Sequence, residues 1–143
     1  MRAIDVSIVI DAPVARVWNF VEPIERHVDW MVDAVSIEFT SPQTRGVGTR
    51  FDCRTKVGPI RLTDRMEITE WLPPTTMGVR HVGLVTGTGR FSLAETASGS
   101  TLFSWHEDLD VPVWLGGPVG LLVLKRVWKR NLRTLKHLVE AAP

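Results

Sequence analysis

The sequence holds a single cysteine, Cys53, and no tyrosine. A lone cysteine excludes an internal disulfide and a cysteine-built metal site, and it fits a reducing compartment. Without tyrosine, any internal site lacks the phenol that often serves as a hydrogen-bond donor or acid. Neither sign of charge dominates, with 17 Lys and Arg against 16 Asp and Glu and a formal charge of +1. There is therefore no global electrostatic case for a nucleic-acid partner. Long hydrophobic runs are missing too. The longest uncharged stretch, "VPVWLGGPVGLLVL" (111–124), is too short to span a bilayer and is interrupted by Gly116, Gly117 and Pro118. Asp5 breaks the apolar character that a signal peptide would need. The four histidines, His27, His81, His106 and His137, show no pair at metal-ligand spacing, and no "GxSxG" occurs. The expectation is one cytoplasmic domain over residues 1–143, with no metal and no cofactor. The sequence sets no oligomeric state.

What is present is a change of hydrophobic period along the chain. "IDVSIVI" alternates as a strand, with Ile4, Val6, Ile8 and Ile10 on one face. "DAPVARVWNFV" then takes helical spacing, with Asp11 as a candidate cap and Pro13 in the first turn. Pro23 ends that helix, and "EPIERHVDWM" reads as a second short one. From Asp33 to Val111 the pattern is strands separated by turn residues, about six in all, joined as antiparallel hairpins. "TGTG" reads as one of these turns. Its glycines resemble half of a phosphate loop, but no helix follows it, so a hairpin is the better reading. Pro118 to Glu140 is the only long helix, with Leu121, Leu124, Trp128, Leu132, Leu135 and Val139 forming one apolar stripe. The class is α+β: a sheet with one apolar face must bury it against that helix. A long antiparallel sheet curled round a helix leaves room for a pocket.

Strand parity selects the side chains that face the pocket. The apolar sets are Phe51, Cys53 and Val57; Ile60, Leu62, Met66 and Ile68; Met77, Val79 and Val85; Phe91 and Leu93; and Phe103, Trp105 and Leu109. Thr55, Asp64, His81 and Glu107 share those faces. "TLFSWHEDLDVP" (101–112) is the informative stretch, because it separates His106, Asp108 and Ser104 on the wet face from Glu107 beside the aromatics. A turn centred near Leu72 and Pro73 sets Asp64 opposite His81 as a cross-strand pair. Asp64, His81 and Glu107 are thus candidate acid–base groups. The plainer alternative is that they are solvated at the mouth or tied up in hydrogen bonds or an ion pair. Trp30, Phe51, Met66, Met77, Phe91, Phe103, Trp105 and Trp128 are the candidate walls, and "PVWLGGPVG" is a candidate gate whose glycines permit backbone motion. The long helix also carries Lys125, Arg126, Lys129, Arg130, Arg133, Lys136 and His137. This basic stripe reads either as a solvated back face or as a surface for peripheral contact with anionic lipid.

The order of elements resembles the START-like superfamily (Bet v 1-type, helix-grip, SRPBCC), closest to the polyketide cyclase/dehydrase and lipid transport group. "VSIVIDAPVARVWNFV" resembles its opening strand and first helix, and "HVDWM" its second short helix. "GVGTRFDCRT", "DRMEITEWLPP" and "GTGRFSLAE" resemble its middle strands, "GSTLFSWHEDLD" its last strand, and "NLRTLKHLVE" the end of its long helix. The resemblance covers nearly the whole chain. It implies a curved seven-stranded antiparallel sheet gripping the C-terminal helix around an apolar cavity, and ligands such as lipids, sterols, polyketides or other greasy molecules.

Two functional readings follow. In the first, the chain binds a hydrophobic small molecule, with Asp64, His81 and Glu107 orienting its polar end. In the second it is a cyclase or dehydratase in which Glu107 or Asp64 abstracts a proton and His81 polarises a carbonyl or protonates a leaving hydroxyl.

Overall fold

The computed structural model describes residues 2–143. Strand β1 (Arg2–Ile10) leads into helix α1 (Val14–Val21) and a single 3-10 helix (Ile24–Asp29). Six further strands follow: β2 (Ala34–Phe39), β3 (Arg50–Val57), β4 (Ile60–Leu72), β5 (Thr76–Val82), β6 (Thr86–Glu95) and β7 (Thr101–Asp110). A short 3-10 turn (Val113–Leu115) then joins helix α2 (Gly117–Ala141). The seven strands form one antiparallel sheet in the order β1-β7-β6-β5-β4-β3-β2. Chain neighbours are sheet neighbours from β2 to β7, as short hairpin connections require, and β1 closes the other edge beside β7.

The period-two pattern predicts the inner face well. Thr101, Phe103, Trp105, Glu107 and Leu109 of β7 are all buried, and the residues between them are exposed or half-buried. Ile4, Val6 and Ile10 of β1 and Phe91 and Leu93 of β6 complete this side. Helix α2 lays Leu121, Trp128, Leu132, Leu135 and Val139 against the sheet, the stripe seen in the sequence, with Leu124 only partly covered. Trp30 and Phe103 are almost wholly excluded from solvent, at the centre of a ring cluster with Phe91 and Trp105. Trp105 in turn stacks on Trp128 and so ties the cluster to α2.

Three local expectations need correction. Asp11 does not cap α1: Pro13 occupies the cap position in an extended conformation, with no side-chain hydrogen bond. "TGTG" is not a turn; Thr86, Gly87, Thr88 and Gly89 open strand β6, and Gly83, Leu84 and Val85 make the turn instead. The β4–β5 connection is centred later than Leu72 and Pro73. Leu72 pairs with Thr76, a bulge lies between Ile68 and Glu70, and Met66 rather than Asp64 stands opposite His81.

Candidate functional site

Glu107 on β7 and His81 on β5 are separated by the whole of β6. The residue of β6 opposite Glu107 is Gly89. With no side chain there, the Glu107 carboxylate lies flat across the strand. A Cβ at position 89 would sit 2.2 Å from its Oε1 and 2.6 Å from its Cδ. Reaching over the glycine, Glu107 Oε2 comes 2.8 Å from His81 Nε2, while Trp105 Nε1 donates to Oε1 at 3.2 Å. On the other side of the ring, His81 Nδ1 is 2.9 and 3.0 Å from the two oxygens of Asp64. Asp64 and His81 meet diagonally, since Asp64 is two residues from Met66 on the same face of β4.

A neutral imidazole has one donor and one acceptor, and ionised carboxylates only accept. With a carboxylate on each ring nitrogen, the arrangement is satisfied by an imidazolium donating both protons. Burial alone would push the His81 pKa down. The hydrogen bonds and charges of Asp64 and Glu107 outweigh it and hold the ring up at about 10. The cluster thus carries one positive and two negative charges.

The imidazolium assignment limits the chemistry. His81 has no free nitrogen with which to polarise a substrate carbonyl, and both Glu107 oxygens are engaged. Cys53 is no nucleophile either: burial foremost, opposed by Thr55 and reinforced by Asp64 and Asp33, pushes its thiol up to about 11.

The space between sheet and α2 forms two chambers. The inner one, about 90 Å³, is walled by Phe51, Met66, Met77, Phe91, Trp105 and Trp128, with Glu107, Asp64 and Thr55 among its few polar groups. The outer one, about 400 Å³, lies between the β3–β4 hairpin and the start of α2, against Val57, Ile60, Leu62, Val119, Val123 and Leu124. Both share Asp33, Thr55, Asp64 and Trp128, which stand where the two chambers adjoin. Of the three candidate acid–base groups, Asp64 alone lies at this junction, with its side chain 18% exposed. Nine of the twelve candidate ligand residues line a chamber. Trp30, Phe103 and His81 do not: the first two are packed into the core, and His81 stands behind its carboxylates. Val85, read as part of β5, lines the outer chamber from the turn.

Three buried polar residues in or beside the chamber walls escape the sequence pattern. Asn131 of α2 is fully buried; its Oδ1 accepts from the Val32 backbone N–H at 2.9 Å and its Nδ2 donates to Asp33 Oδ1 at 2.8 Å. An asparagine beside an apolar stripe, three residues after Trp128 and four before Leu135, was a readable signal. Asp33 precedes β2, where no alternation exposes it. His27 lies in the inner wall, its Nε2 donating to the Val21 carbonyl at 2.7 Å, and burial pushes its pKa down to about 4 despite that bond. It is neutral at pH 7.

The outer chamber opens beside an apolar rim. Val113 and Trp114 are 86% and 71% exposed, and Val119, Leu122 and Val123 continue the patch along α2. Gly116 and Gly117, at φ 108 and 49, make a sharp entry into the helix. Arg126, Lys129, Arg130 and Arg133 point into solvent further along. Among the described residues no helix is long and apolar enough to cross a membrane. His106, the other histidine of the opening stretch, sits on the wet face. Its hydrogen bonds to Asp5, at 2.5 Å, and to Asp108, at 3.0 Å, raise its pKa.

Solved structures with the same fold span nearly the whole chain. A START superfamily protein from Mycobacterium smegmatis superposes with a TM-score of 0.81 at 12% identity, covering 96% of this chain and 97% of its own. TTHA0849 from Thermus thermophilus gives 0.79 at 17% identity, covering 98% of each. A conserved protein from Geobacillus kaustophilus gives 0.79 at 15% identity, covering 97% of this chain and 95% of its own. At such identities the likeness is one of fold. No functionally curated protein matches the sequence. A family model described as polyketide cyclase / dehydrase and lipid transport matches residues 1–140.

Proposed function

Because the chain belongs to the polyketide cyclase/dehydrase and lipid transport family, we propose that it encloses a hydrophobic small molecule in the two-chambered space between sheet and α2. The observation that carries this reading is the largely apolar lining of both chambers, from Val119 and Val123 at the rim to Trp105 and Trp128 inside. A chamber of about 400 Å³ falls within the range of small-molecule sites, roughly 300–1,000 Å³. Burial of ligand surface, at about 25 cal/mol per Å², supplies the driving force. The Asp64–His81–Glu107 cluster favours binding over acid–base turnover, since both His81 ring nitrogens and all four oxygens of its two carboxylates are already in hydrogen bonds. Asp33, Thr55 and Asp64 line both chambers and can meet a ligand's polar end, Asp64 through the lone pairs that its bonds to His81 leave over. The whole chain acts as one binding domain.

The test is a fluorescence titration with N-phenylnaphthylamine, an apolar dye uncharged at neutral pH. The expected result is saturable enhancement at one dye per chain, insensitive to salt because the contact is apolar. A linear, non-saturating response would reject the reading.

A further inference from the structure

The junction of the two chambers has a charge as well as a shape. Asp33 and Asp64 flank β3 from opposite sides: Ala34, next to Asp33, pairs with Thr55, and Asp64 pairs with Cys53. The charges of both acids reach the Cys53 thiol between them. Asp33 is 8% exposed. Its Oδ1 accepts from Asn131, its other oxygen makes no hydrogen bond or ion pair among the described residues, and the residue lines both chambers. An unused carboxylate oxygen in a cavity wall is free to accept a further donor, from water or from a bound ligand.

The charge count points the same way. Asp33, Asp64 and Glu107 are the acids in the chamber walls, and His81, behind them, offsets only one. No lysine lines either chamber. Arg90 belongs to the inner wall, but its guanidinium is held outside by Glu70 at 2.7 and 2.8 Å. His27 is neutral. The space is therefore apolar and carries a net negative charge at its waist, beside the Trp128 indole, which stacks on Trp105 at 4.5 Å between ring centroids. A carboxylate or phosphate head brought to the waist would meet two like charges in a poorly screened site. An ammonium would meet two acceptors and an aromatic ring.

We propose that the ligand is a hydrophobic amine, its cationic head held at the waist by Asp33 and Asp64 and its apolar body filling the outer chamber. The inference rests on the cavity reading above and narrows the ligand's chemical class.

The experiment displaces bound N-phenylnaphthylamine with three compounds that share one apolar body: phenylbutylamine, phenylbutanol and phenylbutyrate. At neutral pH they present a cation, a neutral hydroxyl and an anion. The amine is expected to bind at least about tenfold tighter than the alcohol, and the anion at least about tenfold weaker. In Asp33→Asn, which keeps an oxygen for Asn131, the amine-to-alcohol affinity ratio is expected to fall several-fold. Taking the ratio within each variant cancels any general loss of binding. Equal affinity for amine and alcohol, or a preference for the anion, overturns the proposal while leaving the cavity reading intact. Failure of the dye itself to bind overturns both.

Discussion

Replacing His81 with leucine is expected to cost several kcal/mol of stability, the largest effect of any single change considered. The substitution fills the space of the ring but leaves Asp64 and Glu107 facing each other without the imidazolium between them. Removing one partner from a buried charge cluster costs about 3–5 kcal/mol, because the remaining charges are stranded. For a domain of this size the melting temperature is expected to fall by about 10 °C or more. Replacing all three members together with apolar residues (His81→Leu, Asp64→Leu, Glu107→Met) is expected to recover much of the loss, since no stranded charge remains. Gly89→Ala acts on the same cluster from the other side. Its methyl would occupy the position of Glu107 Oε1, so the carboxylate must leave His81.

The pH dependence gives the same cluster an independent readout. The His81 pKa is about 10 when folded, above the value of about 6.5 for an unfolded histidine. Its contribution is therefore fully present below about pH 6 and is lost as pH rises towards about 10. The gap between about 6.5 and about 10, at about 1.4 kcal/mol per factor of ten in proton affinity, makes the loss on the order of 4–5 kcal/mol. Thermal melts at about pH 6, 8 and 10 should show a steady decline in the native chain and a much flatter profile in His81→Leu. A His81→Leu protein as stable as the native chain would contradict the charge assignment.

The second large effect concerns binding. Val119 and Val123 lie one turn apart on α2, are 69% and 41% exposed, and line the outer chamber. Tryptophan at both positions places two indoles at the chamber without disturbing the buried stripe of Leu121, Trp128 and Leu132. Exposed helical positions tolerate such a change within about 0.5 kcal/mol each, so the melting temperature should move little. The dissociation constant for N-phenylnaphthylamine is expected to rise at least about tenfold, because a ligand that cannot enter the chamber loses most of its burial. Unchanged affinity in the doubly substituted protein would place the dye elsewhere.

The sequence made the face of each strand readable but not how the faces combine. Glu107 was identifiable because it keeps step with Phe103, Trp105 and Leu109, so alternation alone placed an acid among aromatics. Asp64 and His81 were placed on their faces by the same rule. Their union with Glu107 was not legible, since it depends on Gly89 leaving a strand bare, and the glycines of "TGTG" carry a stronger turn signal than strand signal. The β4–β5 register failed for a related reason. A bulge at Ile68/Glu70 and a later turn shift the pairing by two residues along β5, which preserves side-chain parity and so leaves the Asp64–His81 contact intact as a diagonal. Asp33, outside any strand, had no period to betray it.

Whether a hydrophobic molecule sits inside, between sheet and helix, is tested most directly by a nitrogen-15 amide and indole NMR titration with N-phenylnaphthylamine. The largest shifts are expected at the Trp105 and Trp128 indoles and at the amides of Thr55, Asp64 and Val123, with Glu67, Arg80 and His106 on the wet face unmoved. Shifts confined to the wet face, with the indoles of Trp105 and Trp128 unchanged at saturation, would contradict an internal site.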